Sequence, residues 1–283
     1  MKETRYYEVA GHRFCVGGKS DILALMDNYV PFASADGEVV FALTVENGTA
    51  PDYTEELRQE EEGQTIVCGH TAAGEAVFEY HWMGDTAGWL VCSADYQKGR
   101  LITTGLHTKM VIENSMMILY ALSTADMGTV LFHAAVVSYQ GKAYMFLGPS
   151  GTGKSTHARL WLKHIEGTEL VNDDNPVVRD GVVYGSPWSG KTPCYRNVSY
   201  PLGGIVMLSQ APYNKICRLD GLQAYMALVP SISGKRWDAR IADGLHQTEN
   251  ALAMQVPVYH LECLPDEAAA RLCQLRIKRY DYR

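Results

Sequence analysis

Nine consecutive residues, Gly148-Pro149-Ser150-Gly151-Thr152-Gly153-Lys154-Ser155-Thr156, have the types and spacing of a phosphate-binding loop. Two glycines bracket four residues, and a lysine and a hydroxyl residue follow. Glycines let backbone N–H groups turn inward and let phosphate oxygens come close. Lys154 would place a mobile positive charge on the β- and γ-phosphates, and Ser155 would offer its hydroxyl to Mg²⁺. About twenty residues after Lys154, the apolar run Leu170-Val171 leads through Asn172 into two adjacent acids, Asp173 and Asp174. In proteins with such loops, an Asp at a strand end commonly lies beside Mg²⁺. Two neighbouring acids allow one to face the metal and the other to accept a proton from an attacking hydroxyl.

The flanking segments must hold these groups in place. Tyr144-Met145-Phe146-Leu147 reads as a strand entering the loop, and 156–164 as the helix leaving it, with Ala158, Trp161 and Leu162 on one face. A helix N-terminus at that point favours an anion. Residues 131–137 read as one buried strand containing His133, with Gln140-Gly141-Lys142 as the hairpin turn into the loop strand. By position alone His133 is an ordinary core histidine. Residues 177–184 predict a hairpin through Asp180-Gly181. The segment 185–191, with Lys191 and nearby Arg196 as its cations, is either a phosphate or substrate contact or a plain structured loop. Beyond it, 203–208, 216–219 and 256–263 read as strands, and 222–228, 239–254 and 265–278 as helices. Strands alternating with helices from about 131 onward predict an α/β domain.

Residues before about 108 predict a different layer. Short apolar runs at 6–9, 13–16, 39–45, 65–68, 76–80, 88–93 and 100–104 lie between turn residues and read as strands. The acidic run 55–62 predicts a solvated loop or frayed helix, and Gly17-Gly18-Lys19-Ser20 a turn. Asn114 is placed as the N-cap of a helix over 114–127. His70 and His81 lack metal-ligand spacing. The expected division is a β-rich module over 1–110 and an α/β domain over 111–283.

Composition narrows the classes. The 283 residues are 47% hydrophobic and carry a net charge of −7, which suits a large core and disfavours a nucleic-acid partner. Seven cysteines, at 15, 68, 92, 194, 217, 263 and 273, form no C-x-x-C pair and are odd in number. They predict free thiols in a reducing cytoplasm. No apolar stretch is long enough to span a bilayer, and no signal core follows Met1, so a membrane partner is not expected.

Taken together, His133, the two strands after it, Gly148 to Thr156, Asn172-Asp173-Asp174 and Pro201-Leu202-Gly203-Gly204-Ile205 resemble the catalytic domain of the bacterial HPr serine kinase/phosphorylase family. That family is related to ATP-dependent phosphoenolpyruvate carboxykinase. The resemblance spans roughly 128–215. It implies a mixed-sheet P-loop kinase core beside the β-rich module, and ATP and Mg²⁺ as cofactors. It further implies that the loop and Lys154 hold the nucleotide, that Ser155 with Asp173 or Asp174 holds the metal, and that one of the two acids is the base. His133 would be an active-site neighbour. The family's Glu–x–Arg–Gly–x–Gly stretch is altered here, with Ser199 near its Glu and Pro201 near its Arg. The partners expected are a nucleotide and a hydroxyl-bearing acceptor (protein, peptide or small molecule), with a homo-oligomer left open. A carboxykinase-like enzyme and a nucleotide-binding scaffold with little turnover remain as alternatives.

Overall fold

Among the described residues four two-residue turns organise the strands: Ala10-Gly11, Met83-Gly84, Gln140-Gly141 and Asp180-Gly181. In each, both residues have positive φ, the backbone of a tight hairpin whose twist matches its strands, and glycine takes the second place without strain. The computed structural model describes residues 2–61, 63–190 and 192–278. The chain divides into two units, Met1–Thr124 and Ala125–Arg283. It is mixed α/β, with a mixed sheet in each unit.

The first unit holds strands β1 (Lys2–Val9), β2 (His12–Lys19), β3 (Phe41–Asn47), β4 (Thr54–Glu61), β5 (Gln64–His70), β6 (Ala76–Trp82), β7 (Asp85–Cys92) and β8 (Lys98–Thr103). Their order is β1-β2-β3-β8-β7-β6-β5-β4. The short helix α1 (Ser20–Leu23) follows β2, and the long helix α2 (Thr108–Thr124) follows β8. α2 buries Val111, Ile112, Met116, Leu119 and Tyr120, and the Tyr120 hydroxyl donates to the Val9 carbonyl at 3.0 Å. A Cβ on Gly99 would stand 2.5 Å from Leu119 Cδ1, so the bare glycine lets helix and sheet meet.

Four expectations for this unit are corrected. The helix starts at Thr108, so Asn114 is interior and not a cap; the buried Val111 and Ile112 continue its apolar face one turn earlier. Because that face covers the first unit's sheet, the division falls after Thr124 rather than after residue 110. Gly17, Gly18 and Lys19 lie in β2, which is paired on both sides, Gly17 opposite Thr4 and Thr44. The acidic run is strand β4, held by its ladder to β5 although its side chains from Thr54 to Glu60 are exposed. Glu62 lies outside the described residues.

The second unit contains β9 (Thr129–Leu131), β10 (Ala135–Tyr139), β11 (Lys142–Leu147), β12 (Thr168–Asn172), β13 (Val177–Arg179), β14 (Val182–Tyr184), β15 (Ser199–Gln210), β16 (Lys215–Leu219) and β17 (Val258–Cys263). Its helices are α3 (Lys154–His164), α4 (Leu222–Leu228), α5 (Ala239–Gln255) and α6 (Glu267–Lys278). Strand order is β12-β10-β11-β15-β14-β13-β9, with β17 on β15 and β16 on β17. β15 does double duty: its start pairs with β14 and the rest with β11 and β17. Phe146, Val206, Leu208, Tyr259 and Leu261 turn one face of the sheet toward Trp161 of α3 and Cys273 of α6. Leu162, expected on that face, is exposed, and His157 takes the inward place instead.

The single strand expected over 131–137 is two strands of different partners. β9 pairs with β13 and β10 with β11 and β12, and the chain bends between them at residues 132–134. His133 sits in that bend. Among the described residues no helix is long and apolar enough to cross a membrane.

Candidate functional site

β11 and β15 run parallel, as do β15 and β17, and β12 runs antiparallel to β10, itself antiparallel to β11. The carboxyl ends of β11, β12, β15 and β17 therefore share one edge, where open α/β sheets bind ligands. The loop 148–156 leaves β11 at this edge. Gly148, Gly151 and Gly153 all have φ in the left-handed half, at 148°, 76° and 111°, as a chain that curls around an anion requires. A Cβ on Gly148 would lie 3.2 Å from the Leu208 carbonyl, so β15 walls the loop on one side. The Gln210 amide, at the end of β15, donates to the Gly151 carbonyl at 3.3 Å.

Within the loop, the Thr152 hydroxyl donates to the Pro149 carbonyl at 2.7 Å and braces the turn. Pro149 and Ser150 are exposed at its tip, and Ser155 and Thr156 are half-buried on the first turn of α3. Lys154 is buried, and its ammonium donates to the carbonyls of Gly148 at 2.9 Å and Pro149 at 3.4 Å. Lysine thus lies across the mouth of its own loop, where phosphate oxygens would replace the carbonyls as its acceptors.

The acids sit two strands away along the same edge. The Ala134 N–H donates to the Asp174 carbonyl at 2.8 Å, which extends the β10–β12 ladder past the strand ends. Two strand spacings separate this row from the end of β11, about 10 Å. Asn172 makes the turn. Fully buried, it accepts from the Asp174 N–H at 2.9 Å and donates to Ser186 Oγ at 3.1 Å and the Trp188 carbonyl at 3.2 Å. Ser186 in turn donates to the Asn175 carbonyl at 2.6 Å. The 185–190 segment therefore packs under the acids and holds their turn. Arg196, left open as a phosphate or substrate contact or as part of a plain loop, donates to the Leu170 carbonyl and to Glu169, both at 2.7 Å, and is committed to the outer side of β12. Lys191 lies outside the described residues.

The two acids differ. Asp174 is half-exposed, and its Oδ1 lies 3.0 Å from His133 Nδ1. The bend at 132–134 delivers the imidazole there, held by the His133 N–H donating to the Ser231 carbonyl at 2.7 Å. Asp173 is 7% exposed, and its Oδ2 is buried without a hydrogen-bond partner among the described residues. A buried carboxylate oxygen with no donor is costly unless a cation or a proton meets it. Burial raises the nearby Cys194 thiol, and the Asp173 charge adds to the rise, so Cys194 is a neutral thiol there.

An orphaned carboxylate oxygen at the edge that carries Ser155 is a hard, oxygen-only donor set, which fits Mg²⁺. Among the described residues no three His, Cys, Asp or Glu side chains gather into a cage. Magnesium needs none, because it binds through one or two carboxylates together with substrate phosphates and water. Compared with known protein families and with curated proteins, the chain matches none. In the sequence Asn172 stands only as the lead into the two acids and Ser186 only as part of the 185–191 segment, and Gln210 is not singled out; an asparagine directly before two acids was the available signal for the turn.

Proposed function

We propose that the second unit is an ATP-dependent kinase core of the HPr kinase and phosphoenolpyruvate carboxykinase type. It would transfer the γ-phosphate of ATP to a serine-like hydroxyl of a protein, peptide or small molecule. The observation that supports this reading most is the shared edge: a phosphate loop with its lysine, an orphaned buried acid, and a half-exposed acid paired with a histidine. Gly148 to Thr156 would cradle the phosphates through backbone N–H groups and Lys154. Bound Mg²⁺, held by Ser155 and Asp173, would offset phosphate charge.

Asp174 is the base in this reading. The acceptor oxygen attacks the γ-phosphorus, the bond to the β–γ bridging oxygen breaks, and ADP leaves. The acceptor's proton passes to the Asp174 carboxylate. His133 holds Asp174 by Oδ1 and steadies its charge. The rate then comes from positioning and charge stabilisation. All seven cysteines are free, which suits a reducing compartment such as the cytoplasm.

The test is calorimetric titration with Mg-ATP, followed by γ-phosphate transfer against a panel of hydroxyl acceptors. Lys154→Ala should abolish or severely weaken binding with an unchanged thermal melt. Asp173→Asn should weaken the magnesium-dependent part of binding. Asp174→Asn should bind normally and transfer ~10²–10⁴-fold more slowly. Normal binding by Lys154→Ala removes the nucleotide site from the loop. Binding without transfer to any acceptor in the wild type favours a nucleotide-binding scaffold.

A further inference from the structure

Glu249 is an unusual residue in the second unit: a carboxylate with a side chain 0% exposed, in the middle of α5. Arg236 approaches it from the loop before the helix. One guanidinium nitrogen, Nη2, donates to Glu249 Oε1 at 2.5 Å and to the Val229 carbonyl at 3.0 Å, and Nη1 donates to Oε2 at 3.5 Å. The Tyr225 hydroxyl from α4 donates to Oε2 at 3.0 Å. The pair therefore joins α5 to the chain at Val229. A second anchor lies beside it: a Cβ on Gly234 would stand 2.4 Å from Leu245 Cδ1, so the loop lies flat on α5.

The clamped segment is the one that holds the bend at His133. The Ser233 N–H donates to the Leu131 carbonyl at 2.9 Å, Phe132 bridges Ile232, and the His133 N–H donates to the Ser231 carbonyl at 2.7 Å. The same Val229 carbonyl that takes the Arg236 bond also accepts from the Ile232 N–H at 3.4 Å. Each link from the buried carboxylate to the imidazole is thus a hydrogen bond or a chain of a few residues. His133 itself is 45% exposed on its side chain, so little packing holds the ring. Its placement depends on its backbone.

We propose that Glu249, acting through Arg236, is a positioning residue for His133. The clamp fixes residues 229–233, these fix the backbone of the 131–133 bend, and the bend keeps the imidazole on Asp174. The role in transfer rests on the kinase reading above; the mechanical link does not. A charge pair with one partner, Glu249, fully buried and the other, Arg236, about a third exposed is an expensive way to join two segments, and a well-packed apolar pair would often be at least as stable. Its directional bonds fix a geometry that apolar packing would leave loose.

The experiment is residue-resolved amide hydrogen exchange on the full chain, together with transfer kinetics. In Glu249→Gln, exchange at the His133 amide should rise roughly tenfold or more while the amides of α3 keep their protection. Affinity for Mg-ATP should stay within about twofold, and kcat for transfer should fall, by up to about 10²-fold for an ångström of misplacement. Arg236→Met with Glu249→Met removes the clamp without leaving an orphan charge, and should show the same His133 exchange in a fold as stable as the wild type. Arg236→Lys, whose single ammonium cannot span both acceptors, should fall between. Tyr225→Phe, which keeps the clamp, should leave His133 unchanged. Wild-type protection at His133 in the double variant overturns the proposal, as does exchange that rises uniformly across the unit in both variants. If the chain binds no Mg-ATP but His133 exchange responds as stated, the kinase reading fails and the clamp stands.

Discussion

His157, three residues after Lys154, shows how tightly the loop helix is built into the sheet. It is 3% exposed, its Nε2 accepts from the Trp161 indole at 3.2 Å, and its ring meets Phe146 edge-on at 4.7 Å. Burial pushes its pKa down from 6.5 to about 4, so the native ring is neutral at pH 7. The unfolded chain takes up a proton below pH 6.5, whereas the native state does so only near 4. The stability contributed by the neutral ring is full above 6.5 and is lost as pH falls toward 4. The loss is on the order of 3 kcal/mol. Urea titrations at pH 7 and pH 5 should show a steeper decline for the wild type than for His157→Gln; equal declines would show that His157 is not the group responsible. The loop residues were legible because their spacing is itself the chemistry. The inequality of Asp173 and Asp174 was legible only in outline, since the partners that create it, His133 and the 185–190 segment, are remote in sequence. Glu249 carried no signal, because a charged residue in a helix ordinarily faces water.

At the level of elements, Trp161 carries α3. Fully buried, it stands 5.4 Å from Tyr144, 5.6 Å from Phe146 and 6.1 Å from Tyr139, ring centre to ring centre. Trp161→Ala should cost about 3–5 kcal/mol in chemical denaturation, while Leu162→Ala one residue on, exposed, should cost under ~1 kcal/mol. Comparable losses would mean that the helix is held by something other than this aromatic cluster. The strands and the turns between them could be read from the sequence because turn chemistry and alternation agree. Two elements could not. β4 has no buried side from Thr54 to Glu60 and so no alternation, and its existence depends on the ladder to β5. The bend at 132–134 lies inside an apolar run, Val130 to Val137, interrupted only by His133, and is imposed by partners in two different parts of the sheet.

At the scale of the whole molecule, each unit has its own buried cluster, around Val77, Trp89, Val91 and Ile102 in the first and around Trp161, Phe146 and Tyr259 in the second. Residues 125–283 expressed alone should melt cooperatively and bind Mg-ATP with the affinity of the full chain, and residues 1–124 should give a β-dominated circular dichroism spectrum. A second unit that is unfolded in isolation would refute its autonomy. The division at Thr124 was missed because α2 was assigned to the domain that follows it, although its apolar face covers the strands that precede it. The long strand β15 has a consequence for biosynthesis. β11 can zip up with β10 as soon as it emerges from the ribosome, but its other flank waits for β15, and β15 waits for β17, which ends at Cys263. Such pairings between distant segments are slow to form. A nascent chain paused within α5 would therefore display the edge of β15 that β17 later pairs, an unpaired strand edge of the kind that makes folding intermediates prone to aggregate.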